Sequence, residues 1–168
     1  MPSPVGHALG GVTAGWTLAP SRSVKTVGWL AAVGAAADLD LVIGAHRGPT
    51  HSIGAAALTF LLVWMWTRNL RWALAAAAAW GSHVLLDWLG TDTSAPVGEM
   101  ALWPYSRGYF ESRLHLFPAI SRRYWLPEFW VANLKALAIE LVILGPMTWA
   151  VIRTSGLRKT TRPGGSRP

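Results

Sequence analysis

Cysteine is missing from all 168 residues, which excludes disulfides, thiolate nucleophiles and Cys-ligated zinc. Any bound metal must therefore sit on His, Asp or Glu. Charge is also scarce. Asp, Glu, Lys and Arg together make up 14% of the chain, about half the share of a soluble domain. That leaves little polar surface with which to coat a water-soluble fold. A basic leader ahead of the first apolar run is lacking too, because the first basic cluster follows that run. A cleaved export signal is therefore not expected. No internal repeat is visible, and the length suits one compact domain.

What fills the chain is apolar: 52% hydrophobic residues, with 17 Gly and 11 Trp. This mixture fits closely packed membrane helices with aromatic anchors. Five apolar segments stand out, at residues 5–19, 27–45, 53–67, 72–89 and 136–152. Each is about 15–19 residues, or about 23–28 Å as helix, slightly short of a ~30 Å hydrocarbon core. Five such runs leave too little amphipathic helix to cover them in water. The expected fold is all-α: a polytopic membrane bundle of four to five apolar helices, the first segment being the weakest span. Residues 1–152 would form one membrane-embedded domain, with a re-entrant or interfacial region at about 90–135. Residues 153–168, rich in Gly, Pro and basic residues, read as a disordered tail.

The net charge of +7 lies mostly between apolar runs and in the tail, so no specific nucleic-acid partner is expected. Arg22 and Lys25, Arg68 and Arg71, and the tail from Arg153 share one side of an up-and-down bundle. The positive-inside rule makes that side cytoplasmic in an inner membrane. Trp16, Trp29, Trp64, Trp66, Trp72 and Trp149 fall near the same ends, where an interfacial belt belongs. Arg107, Arg113, Arg122 and Arg123 lie on the other side, so the bias is incomplete.

The ionisable residues are the informative ones. His7 opens the first segment, Asp38 and Asp40 lie late in the second, and His46 and His51 flank the next turn. His83 and Asp87 lie late in the fourth segment. Because the segments alternate in direction, all seven converge on the non-cytoplasmic end of the bundle. An Asp or His inside a span costs a few kcal/mol on insertion scales and so faces a partner or a cavity. A divalent cation is an effective partner for several carboxylates at once.

Spacing adds detail. His83 and Asp87 are four apart, on one helical face, although such a pair on its own is more often an ordinary hydrogen bond. Asp38 and Asp40 point about 200° apart on an α-helix. Both would ligate only where the helix ends or unwinds; otherwise one of them caps, pairs or orients a histidine. His46-Arg47-Gly48-Pro49-Thr50-His51-Ser52 is a polar turn. Gly48 and Pro49 enforce the turn, Thr50 could cap the following helix, and Arg47 offers a fork for an anion such as phosphate. A plain polar hairpin tip explains that segment about as well.

These blocks resemble the bacterial inner-membrane metal-dependent hydrolases whose enterobacterial members are described as LexA-regulated. The matching pieces are His7, Ala37-Asp38-Leu39-Asp40, the HRGPTHS turn, Gly81-Ser82-His83-Val84-Leu85-Leu86-Asp87 and Leu102-Trp103-Pro104-Tyr105-Ser106, in the family's order over about residues 5–107. Ala37 departs from the family, which often has Pro there. The group is distantly similar to zinc-dependent phospholipase C and P1 nuclease.

The resemblance implies one or two divalent ions, zinc foremost, held by His7, His46, His51, His83 and Asp87 with Asp38 or Asp40. It also implies hydrolysis of a phosphoester, such as a phospholipid or lipid-linked phosphate, by metal-activated water. An uncoordinated carboxylate or histidine would act as base and Arg47 would hold the anion. Residues 90–106, with Asp92 and the Trp103-Pro104-Tyr105 turn, would form a wall or lid. His115 and the aromatic, basic region to Trp130 would receive headgroups or simply anchor the chain. Two rival readings remain at this point: a non-enzymatic metal-binding or ion-handling membrane protein, and a structural bundle whose polar residues pair with one another.

Overall fold

The computed structural model describes residues 1–43, 46–121 and 123–156. Five α-helices form, α1 (Pro4–Gly15), α2 (Val24–Ala35), α3 (Ile53–Thr67), α4 (Leu70–Leu89) and α5 (Phe129–Ser155). A 3₁₀ helix, η1 (Ala36–Ile43), continues from α2. Among the described residues there is no strand ladder, only isolated bridges pairing Gly90 with Phe117 and Glu99 with Phe110. The fold is therefore all-α, as expected.

Local chemistry sets the helix starts. The hydroxyls of Ser3, Ser23 and Ser52 accept the N–H groups of Gly6, Thr26 and Ala55, and the side-chain oxygen Oδ1 of Asn69 accepts those of Arg71 and Trp72. Each satisfies an N–H that the helix itself cannot pair. The cap of α3 is Ser52 rather than Thr50. Arg68, in the left-handed region at φ 52°, turns α3 back into α4.

The first helix sits at the centre, packed against α2, α4 and α5, while α3 packs against α4. Its contact with α2 depends on glycine. A Cβ on Gly11 would lie 2.6 Å from the Leu30 carbonyl oxygen, and one on Gly34 would lie 2.6 Å from the His7 carbonyl oxygen. The backbones touch here, as small residues permit between membrane helices. Val12, Trp16, Leu30, Ala75 and Ala79 form the core around this crossing. Trp16 is thus fully buried and does not belong to the expected interfacial belt; Trp64, Trp66 and Trp149 are exposed.

One helix, α5, is long and apolar enough to cross a membrane, and α3 is apolar but shorter. The expected four or five spans are not reached on length and composition. Two helices, α1 and α2, have 12 residues each, about 18 Å. The 20-residue α4 carries Arg71, His83 and Asp87. The last helix begins at Phe129 rather than at 136, which shortens the irregular region to residues 90–128. It also runs to Ser155, so the first residues of the expected tail are helical. Residues 157–168 of that tail, with Arg158, Lys159, Arg162 and Arg167, lie outside the described residues, as does the end of the second apolar segment at 44–45.

Candidate metal centre

His7 lies one turn into α1, where the Gly11–Gly34 crossing brings it against α2. The pair His83 and Asp87 occupies the last turns of α4, both buried. Between them arrives η1. Its tighter winding, about three residues per turn, sets Asp38 and Asp40 about 120° apart instead of nearly opposite. The α-helix does end where both carboxylates would need it to.

The two aspartates then divide. Asp40 meets the Nδ1 side of the imidazoles: its Oδ1 is 2.9 Å from His46 Nδ1, and its Oδ2 is 3.2 Å from His51 Nδ1. The Thr50 hydroxyl also donates to Asp40 Oδ2 at 2.6 Å. Asp38 instead faces the Nε2 side, with Oδ1 3.7 Å from His51 Nε2 and 3.8 Å from His83 Nε2. Trp80 Nε1–H, bonded to the Thr50 carbonyl at 2.9 Å, holds the intervening turn on α4.

Asp87 is the hub. Its Oδ1 lies 3.1 Å from His7 Nε2, and its Oδ2 lies 3.4 Å from His51 Nε2 and 3.3 Å from His83 Nε2. The rings of His7 and His83 stack at 3.6 Å. His83 Nδ1 donates to the Gly34 carbonyl at 2.8 Å, and His51 Nδ1 is turned to Asp40. Each tautomer is thereby set so that Nε2 presents a lone pair inward. His51 Nε2, His83 Nε2 and both Asp87 oxygens are buried without a hydrogen-bond partner among the described residues. Four buried electron-pair donors left unsatisfied in one place would cost several kcal/mol, and a cation between them removes that cost. Two donor sets, His7/His83/Asp87 and Asp38/His46/His51, each have ligand atoms within 4.8 Å of one another and could hold a metal ion.

All seven candidate ligands thus meet at one end of the bundle. Arg47 and Asp92 are arranged differently. The Arg47 guanidinium pairs with Asp92 and donates to the Ser94 and Pro96 carbonyls at 3.2 Å and to Ser94 Oγ at 2.6 Å. Its fork therefore holds the loop, and Asp92 completes that clamp by accepting Gly98 N–H at 2.9 Å. The Trp103 turn packs on the start of α3, where the Ala101 and Trp103 carbonyls accept the N–H groups of Ile53 and Gly54. His115 is exposed, 3.6 Å from Glu111.

Two acids went unnoticed in the sequence. Glu140, fully buried on α5, accepts Ser3 N–H at 2.7 Å and the Ser3 hydroxyl, tying the start of α1 to α5. A lone acid in an apolar segment was the available signal, by the same cost argument that flagged Asp87. Glu99 is 1% exposed, with neither carboxylate oxygen hydrogen-bonded among the described residues. Burial, and secondarily the charge of Asp87, pushes its pKa up to about 10. Nothing in the sequence around it marked Glu99.

The profile of a family described as YdjM inner membrane protein matches residues 1–157, spanning every candidate ligand. The chain belongs to that family. The family is described as inner-membrane, and the exteriors of α3 and α5 are apolar: Trp66 on α3 and Val131 and Val142 on α5 are 73% or more exposed. No curated protein and no solved structure matches this YdjM-family chain.

Proposed function

We propose that this YdjM-family protein is a membrane-bound hydrolase of phosphoesters, such as a phospholipid or lipid-linked phosphate, dependent on one or two divalent ions, zinc foremost. One observation supports it above the others: buried imidazole Nε2 and carboxylate oxygens converge without partners. Neutral imidazoles with carboxylates suit zinc, and the resemblance to zinc-dependent phospholipase C and P1 nuclease points the same way. When bound, such an ion lowers the pKa of a water and polarises a phosphoryl oxygen.

The side chains divide the remaining work. His7, His51, His83, Asp87 and Asp38 hold the ion, and Asp40 orients His51. Asp38 and His46 also line a cavity of about 760 Å³, so substrate reaches the centre from their side. His46, its Nδ1 held by Asp40, is the group placed to take a proton there. The reading includes a multi-pass topology with a cytoplasmic tail. In that arrangement the shorter helices span with η1 and the loops completing the crossing, and a tag on the C-terminus found outside the cell would invert it.

A metal-binding or ion-handling protein without enzymatic activity is the second reading, favoured by the near-complete burial of His7, His51, His83 and Asp87. Protein purified in mild detergent without chelators should carry at least one equivalent of metal by elemental analysis. His83→Ala and Asp87→Ala should lose it. A metal-free wild type sinks both readings. Metal-dependent turnover of phosphodiester or phosphomonoester substrates, lost in both variants, selects the enzyme.

A further inference from the structure

The Arg47 fork, expected to hold an anion, is engaged by Asp92 and by the Ser94 and Pro96 carbonyls. The cavity beside the centre has a second arginine. From Asp38 and His46 the cavity runs to a far wall formed by Ile120, Ser121, Arg123 and Leu126. Among the described residues the Arg123 guanidinium makes no ion pair or hydrogen bond, although it lines this wall.

The wall itself is fixed. Asn133 on α5 clamps Ser121 from both sides, accepting its N–H at 2.8 Å and donating to its carbonyl at 2.9 Å. The Ser121 hydroxyl in turn accepts Arg123 N–H at 3.2 Å. Arg123 is therefore carried on the first turns of the helix best suited to cross the membrane. Tyr124, Trp125 and Trp130 beside it are 74%, 66% and 66% exposed. Amphipathic rings of this kind settle at headgroup depth. Leu41, Ile120 and Leu126 give the same cavity an apolar side.

A cationic fork and an apolar flank in one cavity, with exposed aromatic residues next to Arg123 in the chain, match an amphiphile with an anionic head. We propose that Arg123 binds the phosphodiester anion of a membrane phospholipid, which reaches the centre through this mouth with its acyl portion along Leu126 and Ile120. Arginine suits the task because its planar fork meets two phosphate oxygens at once. The proposal rests on the hydrolase reading for its kinetics but not for its binding, and the experiment separates the two.

The full chain is compared with Arg123→Gln and Arg123→Lys, after confirming equal metal content. Binding of dihexanoyl phosphatidylglycerol, followed by tryptophan fluorescence, should weaken about tenfold in Arg123→Gln and less in Arg123→Lys. Inorganic phosphate should not compete at equal concentration. For turnover, the KM on phosphatidylglycerol in mixed micelles and on bis(p-nitrophenyl) phosphate, which carries the same phosphodiester anion, should both rise about tenfold in Arg123→Gln, with kcat within about twofold of wild type. Unchanged lipid binding in Arg123→Gln overturns the proposal. An unchanged KM on both substrates also overturns it, and effective competition by inorganic phosphate overturns it in favour of a soluble phosphoester. Lipid binding that depends on Arg123, without turnover of any phosphoester, overturns the hydrolase reading and leaves the lipid site standing.

Discussion

Glu99→Gln isolates the cost of a buried acid. The side chain is 1% exposed and its oxygens lack hydrogen-bond partners, so the fold favours its protonated form. Because the folded-state pKa of about 10 lies above the usual 4.5, the stabilising preference is complete below about pH 4.5 and is lost as pH rises toward about 10. Glutamine has nearly the same shape and never ionises. At about pH 4.5 the variant should therefore be the less stable by about 1–2 kcal/mol, the cost of its unpartnered amide. At about pH 7.5, three pH units at about 1.4 kcal/mol each give an upper limit near 4 kcal/mol in favour of the variant. The unpartnered amide takes back about 1–2 kcal/mol of that, leaving a gain of about 2–3 kcal/mol. For a chain of this size that is a rise in Tm of roughly 4–12 °C. Thermal unfolding of both proteins in the same detergent, at intervals from pH 4.5 to 8.5, reads the difference directly. A difference that stays flat with pH refutes the reasoning. A variant less stable than wild type at neutral pH refutes it more sharply, by showing that Glu99 is ionised against a cation and belongs to the metal centre.

Other perturbations test the architecture. Asp40→Asn should lower metal affinity about 10–100-fold without abolishing binding, because Asp40 orients His51 from behind; total loss in a chelator-competition titration would make Asp40 a ligand. Gly11→Val should destabilise by at least about 1–3 kcal/mol, since its Cβ meets the Leu30 carbonyl oxygen at 2.6 Å; unchanged thermal unfolding would show that the crossing is looser than described. Glu140→Leu removes the acceptor for Ser3 N–H and hydroxyl, so α1 should loosen at its start, costing about 1–3 kcal/mol. Metal affinity should fall with it through His7, and unchanged affinity would uncouple the latch from the centre.

Much of the centre could be read from chain order. Segments that alternate in direction put His7, Asp38, Asp40, His46, His51, His83 and Asp87 at one end whatever the packing details, and the cost of burying them demanded a partner. The helices were legible for the same reason: apolar runs must become helices when lipid is the solvent. Segment 53–67 coincides with α3 because Ser52 caps it and Arg68 turns it. The start of α5 at Phe129 was not legible, since residues 129–135 are too mixed in polarity to extend an apolar run.

Other assignments required three dimensions. Whether Asp38 or Asp40 faced the histidine Nε2 atoms depended on α2 giving way to a 3₁₀ helix at Ala36, and composition does not specify that transition. The fate of Arg47 depended on Asp92, 45 positions along the chain, returning to meet it, and Trp16 left the interface because α1 became the centre of the bundle. The sequence by itself determined that histidines and aspartates gather at one end of an apolar bundle, because periodicity and desolvation act along the chain. Only the tertiary structure decided which face each donor shows, what the Arg47 fork engages and that Glu99 is buried without a hydrogen bond among the described residues, because those are properties of contacts between segments distant in sequence.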